Sequence, residues 1–256
     1  MDKCISEVVG TASLITIGCG VVAALKYAAY PISPWGVSAV WGSTVALIVY
    51  GTGDISGAHI NPAITCSMAI NKPDEFPVSH VAPYIASQMI GATVASGAVY
   101  ALFRDGIKAV EIKEGIKRGS LASANTFNGA FGLIPNAQLC KGPLSVLAVE
   151  IWCTSHLAFF VFALTDEDNS VPSAAAPALI GTTVMTLVNV FGPVTGCGMN
   201  PARDIGPRIV TALTGWGKMS WHSWMPYTVG PLIGGTLGGA LYNVFAGKKK
   251  VTKARV

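Results

Sequence analysis

Two copies of one tripeptide hold the residues best placed to do chemistry. Asn-Pro-Ala occupies residues 61–63, inside SGAHINPAIT, and residues 200–202, inside GCGMNPARDIGPR. Proline is favoured at the first position of a helix, because its missing N–H would be unpaired there anyway. Asn is a good cap just before it. Asn61, Pro62 and Ala63 therefore read as one helix start, and Asn200, Pro201 and Ala202 as another. A single copy would be an ordinary capped helix after a loop; two copies, each opening a short apolar segment, are far more specific. Each helix N-terminus carries roughly half a positive charge. Two of them meeting inside a membrane would repel cations, hydronium included, with no charged side chain at the centre. The Asn amides would offer hydrogens to a passing oxygen. The chemistry expected is non-covalent: passage of small uncharged solutes, with ions and protons excluded.

The neighbours of the tripeptides fit this reading. Arg203 lies three residues past Asn200 and so shares its helix face. An ionised Arg at membrane depth is costly unless it lines water or has carbonyl partners, so Arg203 is expected to line the pathway. His59 either faces the same pathway or braces a loop. Glu7 and Glu150 sit within apolar segments. They are expected to point inward and accept hydrogen bonds from backbone N–H groups of the loops before the short helices; a proton relay is the alternative. The four His (59, 80, 156, 222) have no ligand spacing, and the six Cys (4, 19, 66, 140, 153, 197) form no C-x-x-C. No metal, cofactor or nucleophile motif is expected. Most of the Cys read as small hydrophobes, and a Cys140–Cys197 bridge would require both to face outside.

The elements that must position these residues are spans of a bilayer. Hydrophobic residues make up 51% of the 256 and charged residues 12%, against about 25% charged in soluble domains. Six runs approach or reach the roughly 20 residues needed to cross a membrane: 5–25, 36–54, 79–103, 144–165, 173–192 and 224–245. The segments NPAITCSMAI and NPARDIGPRIVTAL are too short to cross. Three spans and a half-span, then the same again, give an inverted internal repeat over 1–103 and 144–245, within one channel domain covering 1–256. Residues 104–143 are polar and Gly-rich and read as a connecting loop. Residues 246–256 form a basic tail, read as an anchor beside anionic lipid rather than a nucleic-acid site. The small residues Gly230, Gly234 and Gly238 read as helix packing. With both termini cytoplasmic, seven Lys and Arg lie inside and ten outside, against the positive-inside rule. Charge alone leaves orientation open.

On these residues the sequence resembles the major intrinsic proteins, the aquaporin and glycerol-facilitator family. The resemblance spans nearly the whole chain and includes Glu7-Val-Val-Gly-Thr11, SGAHINPAIT, ASQMIGA and TGCGMNPARDIGPR. GCGVVAALK, SAVWGS and Asp204 directly after Arg203 are similar to the glycerol-facilitating branch. The resemblance implies an all-α membrane fold of six transmembrane helices plus two re-entrant half-helices, a homotetramer with one pore per protomer, and both termini cytoplasmic, in the plasma membrane. It also implies a four-residue selectivity filter at Trp41, Val188, Cys197 and Arg203, with Asp204 lining or supporting the pore. Trp41 resembles the glycerol branch and Cys197 the water-specific members. Val188 resembles neither the Gly of typical glycerol channels nor the His of typical water channels. The function expected is passive conduction of glycerol, related polyols or urea, and water, with the lipid bilayer as the remaining partner. A mainly water-selective pore is the runner-up, and a secondary active transporter the distant one.

Overall fold

The computed structural model describes residues 2–253, with side chains described from residue 2 to residue 247; the side chains of the basic tail beyond Gly247 lie outside the described residues. Among the described residues nine α-helices follow in chain order: α1 (Asp2–Tyr27), α2 (Pro34–Ser56), α3 (Pro62–Asn71), α4 (Val81–Glu114), α5 (Ala124–Phe127), α6 (Pro143–Leu164), α7 (Ala176–Thr195), α8 (Pro201–Thr211) and α9 (Trp224–Lys253). Among the described residues all regular structure is helical. Six of these helices are long and apolar enough to span a membrane. Their outer faces carry large apolar side chains such as Leu47, Val94, Leu102, Leu144 and Leu241, all exposed. That exterior suits lipid, where no polar group would find a partner. The chain is an integral, multi-pass membrane protein.

Packing repeats between the two halves. α1 packs on α4 as α6 packs on α9, and α2 crosses α7 at the centre. At that crossing Gly42 and Gly181 face each other; a Cβ on Gly42 would stand 2.5 Å from the carbonyl oxygen of Gly181, a separation no side chain tolerates. Gly234 and Gly238 lie equally close to the α6 backbone at Ile151 and Ser155. The half-helices are exchanged: α3 rests on α9, and α8 rests on α4. Ser67 Oγ donates to the carbonyl of Gly235 at 2.7 Å, and Asn243 Nδ2 to that of Asn71 at 2.8 Å. Each short helix is thus held by a long helix of the other half.

Two expectations are corrected. The third span does not stop at residue 103: α4 continues to Glu114 and is capped by Gly115 in the left-handed region at φ 63°. Residues 104–114 are charged, so hydropathy ends the span early, but nothing before Gly115 breaks a helix. Residues 104–143 are also not simply a loop. They contain the end of α4 and α5, and Phe127, Phe131 and Leu133 are buried between the ends of the spanning helices. Cys140 is buried as well, its Sγ directed at the carbonyl of Val194 at 3.8 Å, and both Cys140 and Cys197 are free thiols.

Candidate functional site

Each half-helix is reached through a loop whose backbone is strained in the same way. Gly57 has φ 83°, then Ala58 46° and Ile60 43°; Gly196 has φ 87°, then Cys197 and Met199 52° each. Non-glycine residues in this region cost of order 1–3 kcal/mol each and persist only where their surroundings hold them. Here a buried carboxylate holds each loop. Glu7 Oε1 accepts from His59 N (2.9 Å) and Ser56 Oγ (2.7 Å), and Oε2 from Ile60 N (2.7 Å). Glu150 Oε1 accepts from Gly198 N (3.1 Å) and Thr195 Oγ1 (2.7 Å), and Oε2 from Met199 N (2.9 Å). Backbone N–H groups can only donate and a carboxylate can only accept, so the match is complementary. The donors from the two loops correspond one for one: Ser56 with Thr195, His59 with Gly198, and Ile60 with Met199.

The Asn side chains join the two loops. Asn61 Oδ1 caps α3 by accepting from Ala63 N at 2.8 Å, and its Nδ2 donates to the carbonyl of Met199 at 2.8 Å. Asn200 Oδ1 caps α8 by accepting from Ala202 N at 3.0 Å, and its Nδ2 donates to the carbonyl of Ile60 at 2.8 Å. Pro62 and Pro201 hold the first helical positions, and Ala63 and Ala202 are fully buried behind them. Each amide nitrogen has two hydrogens. One is committed to the opposite loop, which leaves one on each Asn for a solute.

Both Asn residues line a cavity of about 1050 Å³ that runs between the spans. Trp41, Val188, Cys197 and Arg203 line the same cavity, as do His59, Val45 and Val184. The guanidinium carbon of Arg203 stands 5.0 Å from the centre of the Trp41 ring. Its Nη1 donates to the carbonyl of Phe131 and its Nη2 to that of Gly129, both at 2.7 Å. Two of its five N–H groups are thereby fixed, and the charge has the carbonyl partners that its depth demands. His59 both lines the cavity and packs on aromatic rings, with Phe76 at 4.6 Å and Tyr84 at 5.1 Å. Asp204 does not line the cavity. It is fully buried, accepting from Leu133 N (2.8 Å) and Arg208 Nε (2.6 Å).

Several members of this arrangement escape the sequence reading. Arg208 is fully buried and donates to the carbonyls of Ser220 (2.6 Å), His222 (2.8 Å) and Leu133 (2.6 Å) as well as to Asp204. It ties α8 to the segment whose carbonyls hold Arg203. Opposite charges one turn apart in RDIGPR were the available signal. Tyr84 Oη donates to the carbonyl of Ser56 and Tyr227 Oη to that of Thr195, at 2.8 and 2.6 Å, closing the ends of α2 and α7 symmetrically. Gln88 Nε2 bridges Glu7 (2.8 Å) and Thr65 (2.9 Å). These partners come from distant helices, and no local pattern marks them.

A doubled, capped half-helix start around one cavity identifies a family, and comparison agrees: the profile described as Major intrinsic protein matches residues 1–242. The chain belongs to the major intrinsic protein family. It is similar to the Glycerol uptake facilitator protein of Haemophilus influenzae, at 41% identity over 98% of this chain and 96% of that protein. It is also similar to the Propanediol uptake facilitator PduF of Salmonella typhimurium, at 36% identity over 96% of this chain and 94% of the relative. In fold it resembles the X-ray structure of the aquaglyceroporin from Plasmodium falciparum, with a TM-score of 0.80, 20% identity, and coverage of 94% of this chain and 95% of that one. As a member of the major intrinsic protein family the chain is a channel rather than an enzyme.

Proposed function

We propose that this chain is a passive channel for glycerol and related small polyols, with water, and that it excludes ions and protons. The observation that carries the reading is the pairing of an aromatic wall with a fixed donor in one cavity: the Trp41 ring beside the Arg203 guanidinium, 5.0 Å apart. A linear polyol has carbons along one side and hydroxyls along the other. Trp41 and Val188 offer its carbons an apolar surface, while Arg203, Asn61 and Asn200 offer N–H groups to its oxygens. Water needs no such apolar wall. Relatives named for glycerol and propanediol uptake support the same class of solute, and urea is of similar size. Protons meet two positive helix ends and a fixed guanidinium.

The roles assigned to the filter residues Trp41, Val188, Cys197 and Arg203 and to the two Asn-Pro-Ala motifs belong to this proposal. So do a homotetramer, plasma-membrane location and cytoplasmic termini, which the family resemblance supports. Stopped-flow light scattering on proteoliposomes tests the function. Glycerol entry well above that of empty vesicles is expected, running only down its gradient. Accumulation against a glycerol gradient under an imposed proton gradient would make it a transporter instead. Fast water flux with no glycerol entry would make it a water-selective pore.

A further inference from the structure

We infer that Gly18, in α1, sets the width of the filter by giving the Trp41 ring a place to lie outside the pathway. This rests on the glycerol-channel reading above and deepens it. Gly18 is buried, and the benzo edge of Trp41 lies directly against it. A Cβ at position 18 would stand 2.5 Å from Trp41 Cη2 and 2.6 Å from Cε3, with Cζ3 as close again. Carbon atoms rest at about 3.5–4.0 Å, so a single methyl would displace the ring by about 1 Å. The backbone of α1 blocks one direction, because that helix is clamped along α4. On the other side stand the cavity and Arg203, whose guanidinium is fixed by two carbonyls at 2.7 Å and cannot retreat.

The second half of the chain shows the same position solved differently. Glu7 and Glu150 are 143 residues apart and Asn61 and Asn200 are 139 apart, and these offsets match Gly18 to Val161 and Trp41 to Ile180. Val161 and Ile180 both line the cavity. Both of these side chains are branched and of middling size. At the filter one residue has no side chain and the other is the largest available. Gly18 and Trp41 are therefore fitted to each other: the tryptophan gives the pathway its aromatic wall, and the glycine keeps that wall from closing it.

The test compares glycerol and water permeability of proteoliposomes bearing the wild type, Gly18→Ala, Gly20→Ala, Trp41→Phe and Gly18→Ala/Trp41→Phe. Phenylalanine lacks the benzo edge that touches Gly18. Gly20 is the control, since a Cβ there meets nothing within 4 Å. Gly18→Ala should lower the glycerol-to-water ratio by about tenfold or more, because a shift of about 1 Å in a filter acts on the larger solute. Gly20→Ala should leave the ratio unchanged, and the double variant should match Trp41→Phe. A wild-type ratio in Gly18→Ala, or a fall that persists in the double variant, would overturn the inference. If Gly18→Ala fails to assemble in membranes, assembly restored in the double variant supports the inference and its absence overturns it. A wild type that carries no glycerol would instead fail the underlying reading, and the two failures are distinct.

Discussion

Replacing Glu150 with Gln probes how the pore loop is held. In the wild type Oε1 accepts from Thr195 Oγ1 and Gly198 N, and Oε2 accepts from Met199 N. Glutamine has one oxygen. Its best orientation keeps that oxygen toward Thr195 and Gly198 and turns its NH₂ against the Met199 N–H. That leaves one buried backbone donor unpaired, at about 1–3 kcal/mol, and converts two bonds to a charged acceptor into neutral ones, at about 1 kcal/mol each. The sum, about 3–5 kcal/mol, falls on a loop already holding Cys197 and Met199 at φ 52°. Local opening of this loop should become easier by that amount. Amide hydrogen exchange of the segment 195–200, measured in detergent or nanodiscs, should accelerate by about 10²–10⁴-fold while the spans remain protected. Glu7→Gln should do the same to the segment 56–61, because its acceptors face the corresponding groups. Exchange at Gly198 and Met199 within about threefold of wild type would mean that the strained backbone holds its shape without the carboxylate.

Arg208→Met strands the buried Asp204 carboxylate with Leu133 N as its remaining partner; it should cost about 3–5 kcal/mol of stability in thermal unfolding, and Asp204→Leu in the same chain should recover part of it. Val188→His narrows the cavity and adds a polar group to its apolar wall, so glycerol permeability should fall by about tenfold while water permeability falls far less; equal losses would remove Val188 from the filter. A mercurial added from outside should block flux through the wild type and Cys140→Ser but spare Cys197→Ser, since Cys197 lines the cavity and Cys140 is buried away from it. Block that survives in Cys197→Ser and disappears in Cys140→Ser would show the filter to be misplaced.

What was legible in the sequence follows from what is local. The six spans announce themselves by composition, and the half-helices by a cap and a proline side by side. The proposed filter is legible only through family resemblance, since Trp41, Val188 and Cys197 lie on three different segments and carry no shared pattern. Charge misled at α4, whose end is helical because helix formation asks for an unbroken backbone rather than an apolar one. The segment 128–136 reads as loop with the rest of the polar, Gly-rich stretch 104–143, and its carbonyls and N–H groups are what hold Arg203 and Asp204. Such backbone partners have no sequence signal. Tyr84, Tyr227, Gln88 and Gly18 likewise act through contacts between helices that only the packed bundle creates.

On the proposed function, two opposed half-helix starts form a pore that admits neutral polyols and refuses protons. Proteoliposomes loaded with a pH-sensitive dye test both parts at once, under simultaneous glycerol and pH gradients. Scattering should report glycerol entry many times faster than in empty vesicles, while the dye reports an internal pH drifting no faster than in those same empty vesicles. Rapid collapse of the pH gradient alongside glycerol entry, or no glycerol entry at all, would contradict the account.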